Sequence, residues 1–297
     1  MENYIVFDIG GSSIKWSIMR KNGCILKRGI LKICKTSDEF FEIIIDKVNN
    51  NLIEYDLQGI AISAPGAVDC KTGIIGGASA IPYIHGPNFK EILKNATGLK
   101  VAIENDANCA ALGECWLGAA KDINDCVFVV CGTGIGGAIV KEKHIHYGAN
   151  KHGGEFGYCI VTYDGDKNEC LSWSKVGSTK ALASNIEKRK GLPFDSLDGM
   201  KAFQLYESGD KIAVEEVEKY FTYMAIGIYN IQYTFDPELI LLGGAISERE
   251  GYIEEINKKI NKIMLSSKDG KVKPIIKRCV YGNDANMLGA LYNLINR

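Results

Sequence analysis

The chain has 297 residues, which is enough for two ordinary domains or one large one. Hydrophobic residues make up 46% of the sequence and charged residues 24%, a composition typical of globular proteins. The formal net charge of −1 excludes the basic surface of a nucleic-acid-binding protein, and no apolar run is long enough to span a membrane. We therefore expect neither a nucleic-acid partner nor a membrane partner.

The N-terminus and the cysteines both indicate a cytoplasmic location. The first residues, MENYIVFDIGG, lack the basic start and the long apolar core of a signal peptide. The ten cysteines contain no C-x-x-C pair, and most of them stand among apolar residues. We expect them to remain thiols in a reducing compartment.

The first part of the chain predicts a β-meander followed by a helix. The stretch YIVFDIGGSSIKWSIMRKNGCILKRG contains a strand, a glycine-rich turn, a second strand, a polar turn at Lys21–Gly23 and a third strand. A helix from Asp38 to about Glu54 follows, with Thr36 and Glu39 as a capping box. The strand GIAISAPG completes this predicted α/β unit.

A second stretch repeats this order. CVFVVCGTGIGGAIVKEKHIHYG begins with a strand at Cys126–Cys131, turns at Gly132–Gly137 and continues with two further short strands. A mainly helical segment comes next. It is followed by the predicted helix Glu215–Phe235, the strand ELILLGGAIS, the helix Tyr252–Met264 and the strand PIIKRCV. The sequence therefore predicts one α/β unit that is used twice.

Both meanders begin with a hairpin of small residues. Such residues let backbone N–H groups approach a phosphate chain closely, and Ser12 and Thr133 add hydroxyl donors. A lone glycine-rich turn is typical of any tight turn, but two equivalent turns and the later LLGGAI favour a nucleotide site. No G-K-[ST] follows a glycine run, and no G-x-G-x-x-G opens a helix. The pattern predicts a cleft between two domains in which both domains bind the nucleotide.

A group of polar residues stands where a predicted strand meets a predicted helix. In VAIENDANCAALGE the apolar start is followed by the polar residues Glu104, Asn105, Asp106 and Asn108. Capping of the helix predicted over Ala107–Ala119 needs only one such residue, because Asn or Asp suffices at a helix start. Ligands also bind at the carboxyl ends of strands in open α/β sheets. The residues alone leave capping and ligand binding both open.

Six motifs in this order resemble the ROK family (repressor, open reading frame, kinase): DIGGSSIK, SAPGAVD, IENDANCA, CGTGIGG, GGEFG and LLGGAI. The family consists largely of sugar kinases of the actin/hexokinase-like superfamily. GGASAIPYIHGPN, GGEFGY and GIYNIQYTFDPELILLGG are similar to its bacterial β-glucoside kinases. The resemblance implies ATP-dependent phosphorylation of the 6-hydroxyl on the non-reducing glucose of a β-glucoside such as cellobiose.

The same resemblance implies the architecture. It is an α/β fold of two actin-like (ribonuclease H-like) domains, with the nucleotide and the sugar in the cleft between them. We expect the first domain to comprise residues 1–118 and a returning C-terminal helix at 285–297, and the second to comprise residues 119–284. Homodimers are common in the family, so a homodimer is a further expectation.

The resemblance also implies the roles of individual residues. Asp106 is expected to be the catalytic base, and a helix N-terminus should keep its carboxylate charged and weakly basic. The residues expected to bind the sugar are Asn105, Asp106, Glu155, His152 and Gly66. Those expected to bind ATP and its phosphates are Asp8, Gly10, Gly11, Ser12, Lys15, Gly132, Thr133, Gly134, Gly243 and Gly244. Asp8 is further expected to face Mg²⁺ through water.

One family feature is missing from this sequence. Many members carry a histidine after the GExG element and a downstream cysteine cluster, which together bind structural zinc. Here Tyr158 stands at the histidine position, and Cys170 is the only cysteine in the downstream stretch. We therefore expect no structural zinc site. A loose alignment places Ser174 where a second sugar-binding glutamate is usual, and Trp173 is either a face for a second sugar ring or a core residue.

Three other functions deserve comparison. A ROK transcriptional repressor would need a helix-turn-helix domain, and only seven residues precede Asp8, so we expect none. A non-catalytic sugar sensor would not need the aspartate and both glycine hairpins, which are all present. A glucokinase or an N-acetylmannosamine kinase of the same family remains an open alternative.

Overall fold

The computed structural model describes residues 2–77, 79–267 and 269–296. Arg297, in the predicted last helix, and Ala78, in the motif GGASAIPYIHGPN, lie outside these ranges. The chain forms two compact units. The first contains the described residues up to Lys121, the segment Tyr147–His152 and the residues from Asn283 onward; the second contains Asp122–His146 and Gly153–Gly282.

The first unit is built on a five-stranded mixed sheet in the order β3-β2-β1-β4-β7. Its elements are β1 Asn3–Ile9, β2 Ser13–Arg20, β3 Ile25–Lys32, α1 Ser37–Leu52, β4 Leu57–Ala64, β5 Ala67–Asp69, β6 Ile74–Gly76, α2 Phe89–Thr97, β7 Lys100–Asn105, α3 Asp106–Trp116 and α9 Ala285–Ile295. The β1, β2 and β3 strands form the predicted antiparallel meander, and β4 and β7 add to β1 in parallel.

The second unit repeats this sheet in the order β10-β9-β8-β13-β14. Its elements are β8 Cys126–Cys131, β9 Ile135–Lys141, β10 His144–Ile145, β11 Ile160–Asp164, β12 Glu169–Ser172, α4 Trp173–Gly177, α5 Thr179–Lys190, α6 Gly199–Glu207, α7 Lys211–Phe235, β13 Leu239–Gly243, α8 Tyr252–Ser267 and β14 Ile276–Arg278. Again a three-stranded meander is followed by two parallel strands. The predicted fold class and the predicted repeat are confirmed.

The helices of the first unit form where the sequence places caps and apolar faces. The Thr36 hydroxyl accepts a hydrogen bond from the Glu39 N–H at 3.3 Å, and the Glu39 carboxylate accepts from the Lys35 N–H rather than from Thr36. In α1, Phe40 and Ile44 face the sheet and are fully buried. Burial of each such side chain stabilises the fold by about 1.5–3 kcal/mol.

The α3 and α9 helices pack closely because glycines stand at their crossing. A Cβ atom on Gly289 would lie 1.7 Å from the Cys109 carbonyl oxygen, and one on Gly113 would lie 2.4 Å from the Ala285 carbonyl oxygen. The α3 helix also ends sooner than the predicted Ala119, at Trp116. The start of α3 is thereby fixed against a helix from the far end of the chain.

The compact units differ from the predicted domain ranges at three places. Residues 119–121, 147–152 and 283–284 were all expected in the second domain but belong to the first unit. The predicted ranges otherwise remain predictions of domain organisation, as does the predicted cleft. Among the described residues, no helix combines the length and the apolar character that crossing a bilayer requires. All ten cysteines are thiols.

Candidate active site

The carboxyl ends of the three parallel strands in the first unit carry a row of polar side chains. Asp8 on β1 is the register neighbour of Ser63 on β4, and Ser63 is the neighbour of Glu104 on β7. Asn105 and Asp106 follow directly. Because ligands bind at this edge in open α/β sheets, the row marks a candidate active site.

Asp8 is buried and held from two sides. The Ser63 hydroxyl donates to Asp8 Oδ1 at 2.8 Å, and Asn286 Nδ2 donates to the same oxygen at 3.1 Å. Lys15, which faces Asp8 across the hairpin, places Nζ 3.9 Å from Oδ2. Two donors therefore occupy Oδ1, and Oδ2 is the oxygen beside the lysine cation.

The first glycine turn lies next to Asp8 and is open to solvent. Gly10, Gly11 and Ser12 are all exposed, and the Gly10 N–H donates to the Ser13 carbonyl at 3.0 Å, which closes the hairpin. The structure therefore groups the five first-unit residues that were predicted to bind phosphate, namely Asp8, Gly10, Gly11, Ser12 and Lys15.

Asn105 is the N-cap of α3, and both polar atoms of its side chain form hydrogen bonds within the protein. Its Oδ1 accepts from the Ala107 and Asn108 N–H groups at 3.0 and 3.2 Å. Its Nδ2 donates to the Gly66 carbonyl and to Asp106 Oδ1, both at 3.0 Å. An amide has two donor hydrogens and two acceptor sites, so all four are engaged. Asn105 and Gly66 thus hold the turn that carries Asp106.

The fold raises the pKa of Asp106 toward the range in which a carboxylate can act as a general base. Burial raises its pKa from the ordinary value of 3.8 to about 6. The Ala107 N–H lowers the pKa, the negative charge of Asp8 raises it, and the Asn105 amide lowers it. The helix start therefore acts in the predicted direction, but burial outweighs it. The expectation of a weakly basic Asp106 is wrong, because the pKa of about 6 makes it a stronger base than an ordinary aspartate.

The second unit groups its own predicted phosphate-binding residues. Gly132–Gly134 follow β8. Gly243 ends β13, which pairs with β8 in parallel, and Gly244 comes directly after it. A Cβ atom on Gly244 would lie 2.2 Å from the Cys131 carbonyl oxygen, and φ of Gly244 is +87°, so only glycine fits there. Nothing lies within 4 Å of a Cβ atom built on Gly132, and Thr133 is exposed.

The loop with the GGEFG motif lies on β9 in the second unit. Gly154 has φ +92°, and a Cβ atom there would lie 2.8 Å from the Ala138 Cα atom. Glu155 is exposed at the tip of this loop. His152 belongs to the first unit, is exposed, and its Nδ1 lies 2.7 Å from the Asn150 carbonyl oxygen. The two predicted sugar-binding residues therefore belong to different units.

The region that differs from the zinc-binding members has a well-defined packing. Trp173 is 1% exposed, and Gly177 and Gly227 make room for its indole. The interpretation of Trp173 as a stacking face for a second sugar ring is therefore wrong, and the core interpretation is right. Ser174 Oγ accepts from the Ile135 N–H at 2.9 Å, so it holds the glycine turn after β8. Tyr158 is exposed.

Metal-binding side chains do not converge elsewhere in the described part of the chain. Within residues 2–77, 79–267 and 269–296, no three His, Cys, Asp or Glu side chains are grouped as a metal site would need. The absence of structural zinc remains a prediction that metal analysis can test.

Sequence reasoning missed two contributors to the site. Asn286 binds Asp8 from α9, and no motif marks it because it lies 278 residues away in sequence. Glu104 is the second: its pattern in the sequence predicts no role, yet it is fully buried and accepts several hydrogen bonds. A carboxylate inside an apolar strand is the signal that could have identified it.

Comparisons with known proteins identify the family and agree with this fold. The sequence matches the ROK family over residues 4–296. A β-glucoside kinase from Listeria monocytogenes is 33% identical over 291 residues, which are 97% of this chain and 96% of that protein. A glucokinase from Halalkalibacterium halodurans is 30% identical over 267 residues, which are 82% and 81% of the two chains.

The solved structure of a ROK family protein from Streptococcus pneumoniae TIGR4 in complex with sucrose is also similar. It is 35% identical, has a TM-score of 0.90, and the similarity covers 99% of this chain and 98% of that one. The fold is thus that of the two-domain hexokinase-like proteins, a class of sugar phosphotransferases. Within this class, the chain belongs to the ROK family and is a sugar kinase of that family.

Proposed function

We propose that this protein transfers the γ-phosphate of ATP to the 6-hydroxyl of the non-reducing glucose of a β-glucoside such as cellobiose. The observation that carries the proposal is Asp106, a half-buried carboxylate at the sheet edge whose pKa is raised to about 6, in part by the negative charge of Asp8. A carboxylate that accepts the proton of the attacking hydroxyl is what phosphoryl transfer requires of the protein at this position.

Asp106 is the proposed general base. Its Oδ1 accepts from the Ala107 N–H at 2.9 Å and from Asn105 Nδ2 at 3.0 Å, which fixes the carboxylate. Its Oδ2 is then the oxygen that takes the proton of the 6-hydroxyl while the oxygen–phosphorus bond forms. The ADP oxygen leaves with the electron pair of the broken bond. Glu155 and His152 are the proposed contacts to the other sugar hydroxyls.

The glycine turns of both units are the proposed phosphate contacts. The hydroxyls of the exposed Ser12 and Thr133 are proposed donors for phosphate oxygens. The N–H groups of Gly10 and Gly132 close the hairpins instead, so the other N–H groups of the turns are the proposed backbone donors. Asp8 and Lys15 fit an Mg²⁺–nucleotide, because Asp8 Oδ2 supplies one oxygen and Lys15 supplies a cation for the phosphates. When bound, Mg²⁺ neutralises phosphate charge during the transfer.

Three observations favour a glucoside over free glucose. The Listeria monocytogenes relative is a β-glucoside kinase. The Streptococcus pneumoniae relative is in complex with sucrose, a disaccharide whose glucose is α-linked, which supports space for a second sugar ring but does not bear on the β linkage. In addition, Ser174 supplies no carboxylate for an anomeric hydroxyl, and Ile135 occupies its hydroxyl. A carboxylate left facing a glycosidic oxygen would cost about 1–3 kcal/mol.

A coupled assay of ADP release tests the proposal with cellobiose, gentiobiose, glucose, N-acetylmannosamine and N-acetylglucosamine. We expect kcat/KM to be highest for the two disaccharides. A clearly higher kcat/KM for glucose or for N-acetylmannosamine would replace the β-glucoside with that sugar. Sugar binding without ADP release, in the presence of ATP and Mg²⁺, would instead indicate a non-catalytic sugar sensor.

A further inference from the structure

A short segment leaves the second unit and packs with the first. The chain passes from β10 into Tyr147–His152, which belongs to the first unit, and returns to the second unit at Gly153. Gly148, Ala149 and Asn150 are exposed, whereas Tyr147 is half-buried. The segment therefore depends on a few side chains for its position.

Tyr147 is anchored on the strand that leads to the catalytic turn. Its hydroxyl donates to Glu104 Oε2 at 2.5 Å, and it lies 3.7 Å from the Cys70 sulfur. Cys70 Sγ also contacts Glu104 Oε2, at 2.9 Å. Glu104 is fully buried and Tyr147 is half-buried, so this hydrogen bond lies partly out of water and is stronger than a surface contact.

The other oxygen of Glu104 holds the catalytic turn itself. Glu104 Oε1 accepts from the Asn105 N–H at 2.8 Å and from Asn108 Nδ2 at 3.0 Å. Asn105 and Asn108 flank Asp106. One buried carboxylate therefore joins the turn that carries Asp106 to the segment that leads to His152.

A second anchor lies at the end of the segment. Lys151 Nζ forms an ion pair with Asp69 Oδ2 at 2.5 Å. The same aspartate accepts from the Lys71 and Thr72 N–H groups through Oδ1, and the Lys151 ammonium holds the pKa of Asp69 down at about 2. The carboxylate is thus charged at any pH at which the protein would be assayed.

We propose that Tyr147 is a positioning residue for sugar binding. Its hydrogen bond to Glu104, assisted by the Lys151–Asp69 pair, holds residues 147–152 in place, so that His152 is held in position for the sugar. The inference rests on the proposed function, because the sugar is the ligand that the segment would contact. It assigns to Tyr147 and Glu104 an indirect role, exerted through His152.

The variant Tyr147→Phe tests this, because it removes one hydroxyl and keeps the ring. We expect its dissociation constant and KM for cellobiose to rise on the order of 10-fold, with kcat and the KM for ATP changed less than about threefold. Amide hydrogen exchange in residues 147–152 should become faster. Lys151→Met should act in the same direction with a smaller effect, because an exposed ion pair contributes less.

Two control variants are matched to these changes. Tyr163→Phe removes a hydroxyl that donates to Asn168, and Lys175→Met removes an exposed ion pair with Glu169; both lie on or next to the β11–β12 hairpin of the second unit. Neither should alter sugar binding. Thermal unfolding of all four variants shows whether a change is confined to the segment.

The outcomes separate the inference from the proposed function. If the wild-type protein phosphorylates cellobiose and Tyr147→Phe binds it equally well, the positioning role is wrong. Faster exchange with unchanged sugar binding would also overturn it, since the segment would then be mobile without consequence. If the wild-type protein neither binds nor phosphorylates any sugar in the panel, the proposed function fails, and with it the role of Tyr147.

Discussion

Asn286 donates a hydrogen bond to Asp8 at 3.1 Å, although the two residues stand near opposite ends of the chain. Asn286 lies in the first turn of α9, and Asp8 ends β1. Together with the Ser63 hydroxyl, the Asn286 amide occupies Asp8 Oδ1 and leaves Oδ2 toward Lys15. The amide therefore sets the orientation of the carboxylate that we assign to Mg²⁺–ATP.

Replacement of Asn286 by alanine should weaken the use of Mg²⁺ without loss of the fold. Removing a partner that orients a metal-facing carboxylate typically costs ~10–100-fold in metal affinity or activity. We expect a higher Mg²⁺ concentration for half-maximal activity and a lower kcat, with an unchanged KM for the sugar. Asn230→Ala, at an exposed position on α7, is the control. An unaltered Mg²⁺ dependence would show that Ser63 alone orients Asp8.

Replacement of Asp106 by asparagine should abolish most turnover and leave sugar binding intact. Loss of a general base typically lowers the rate by ~10²–10⁴-fold. The folded protein should become more stable at pH 7, because the folded-state pKa of about 6 lies above the ordinary 3.8 and ionisation therefore disfavours the fold. The gain is on the order of 1–3 kcal/mol. A destabilised variant with near-normal kcat would mean that Asp106 only stabilises the first turn of α3.

The activity of the wild-type protein should fall in mildly acidic solution. Asp106 must be ionised to accept a proton, and its pKa is raised to about 6, so kcat/KM should decrease with unit slope as the pH falls through that value. Stability should change in the opposite direction, since the contribution of Asp106 to stability is lost as the pH rises from 3.8 to about 6. Rates measured from pH 5 to 8 with saturating Mg²⁺ test this. A kcat/KM that stays constant down to pH 5 would indicate an unperturbed carboxylate.

The sequence predicted the repeated sheets well because local signals specify them. Apolar strands, polar turns and a capping residue such as Thr36 act over a few residues, so the two meanders and the helices around them are evident before folding. Asp106 and the glycine turns were also recognised, because their motifs are contiguous. These features need no knowledge of distant parts of the chain.

The parts that could not be predicted depend on residues far apart in sequence. Asn286 reaches Asp8, and Tyr147 reaches Glu104, only because the sheet and α9 bring them together. The pKa of Asp106 depends on burial, which no pattern of neighbours gives. The sequence does not distinguish the two roles of Trp173, because only the packing of Gly177 and Gly227 around its indole shows that it belongs to the core.

Replacement of Gly289 by alanine should destabilise the first unit. A Cβ atom there would lie 1.7 Å from the Cys109 carbonyl oxygen, so α9 would have to move away from α3. Overpacking of this kind costs about 1–3 kcal/mol, and more where the contact is backbone. Urea unfolding measures the loss. Because α3 begins at Asp106, kcat should fall as well; equal stability of variant and wild type would show that the crossing can relax.

Replacement of Gly132 by alanine separates a role in binding from a role in folding. Nothing lies within 4 Å of a Cβ atom at this position, and the backbone does not have a positive φ, so the fold should tolerate a methyl group. If the turn after β8 binds the phosphates of ATP, the methyl group would occupy the space where they approach the backbone. A displacement of about 1 Å can then lower kcat/KM for ATP on the order of 10²-fold.

Gly165→Ala, in the exposed turn between β11 and β12, is the matched control, because its Cβ atom would meet only the Tyr163 ring at 3.9 Å. We expect equal melting temperatures for both variants and the wild type, an unchanged KM for the sugar, and a raised KM for ATP in Gly132→Ala alone. Normal ATP kinetics in Gly132→Ala would remove this turn from the nucleotide site.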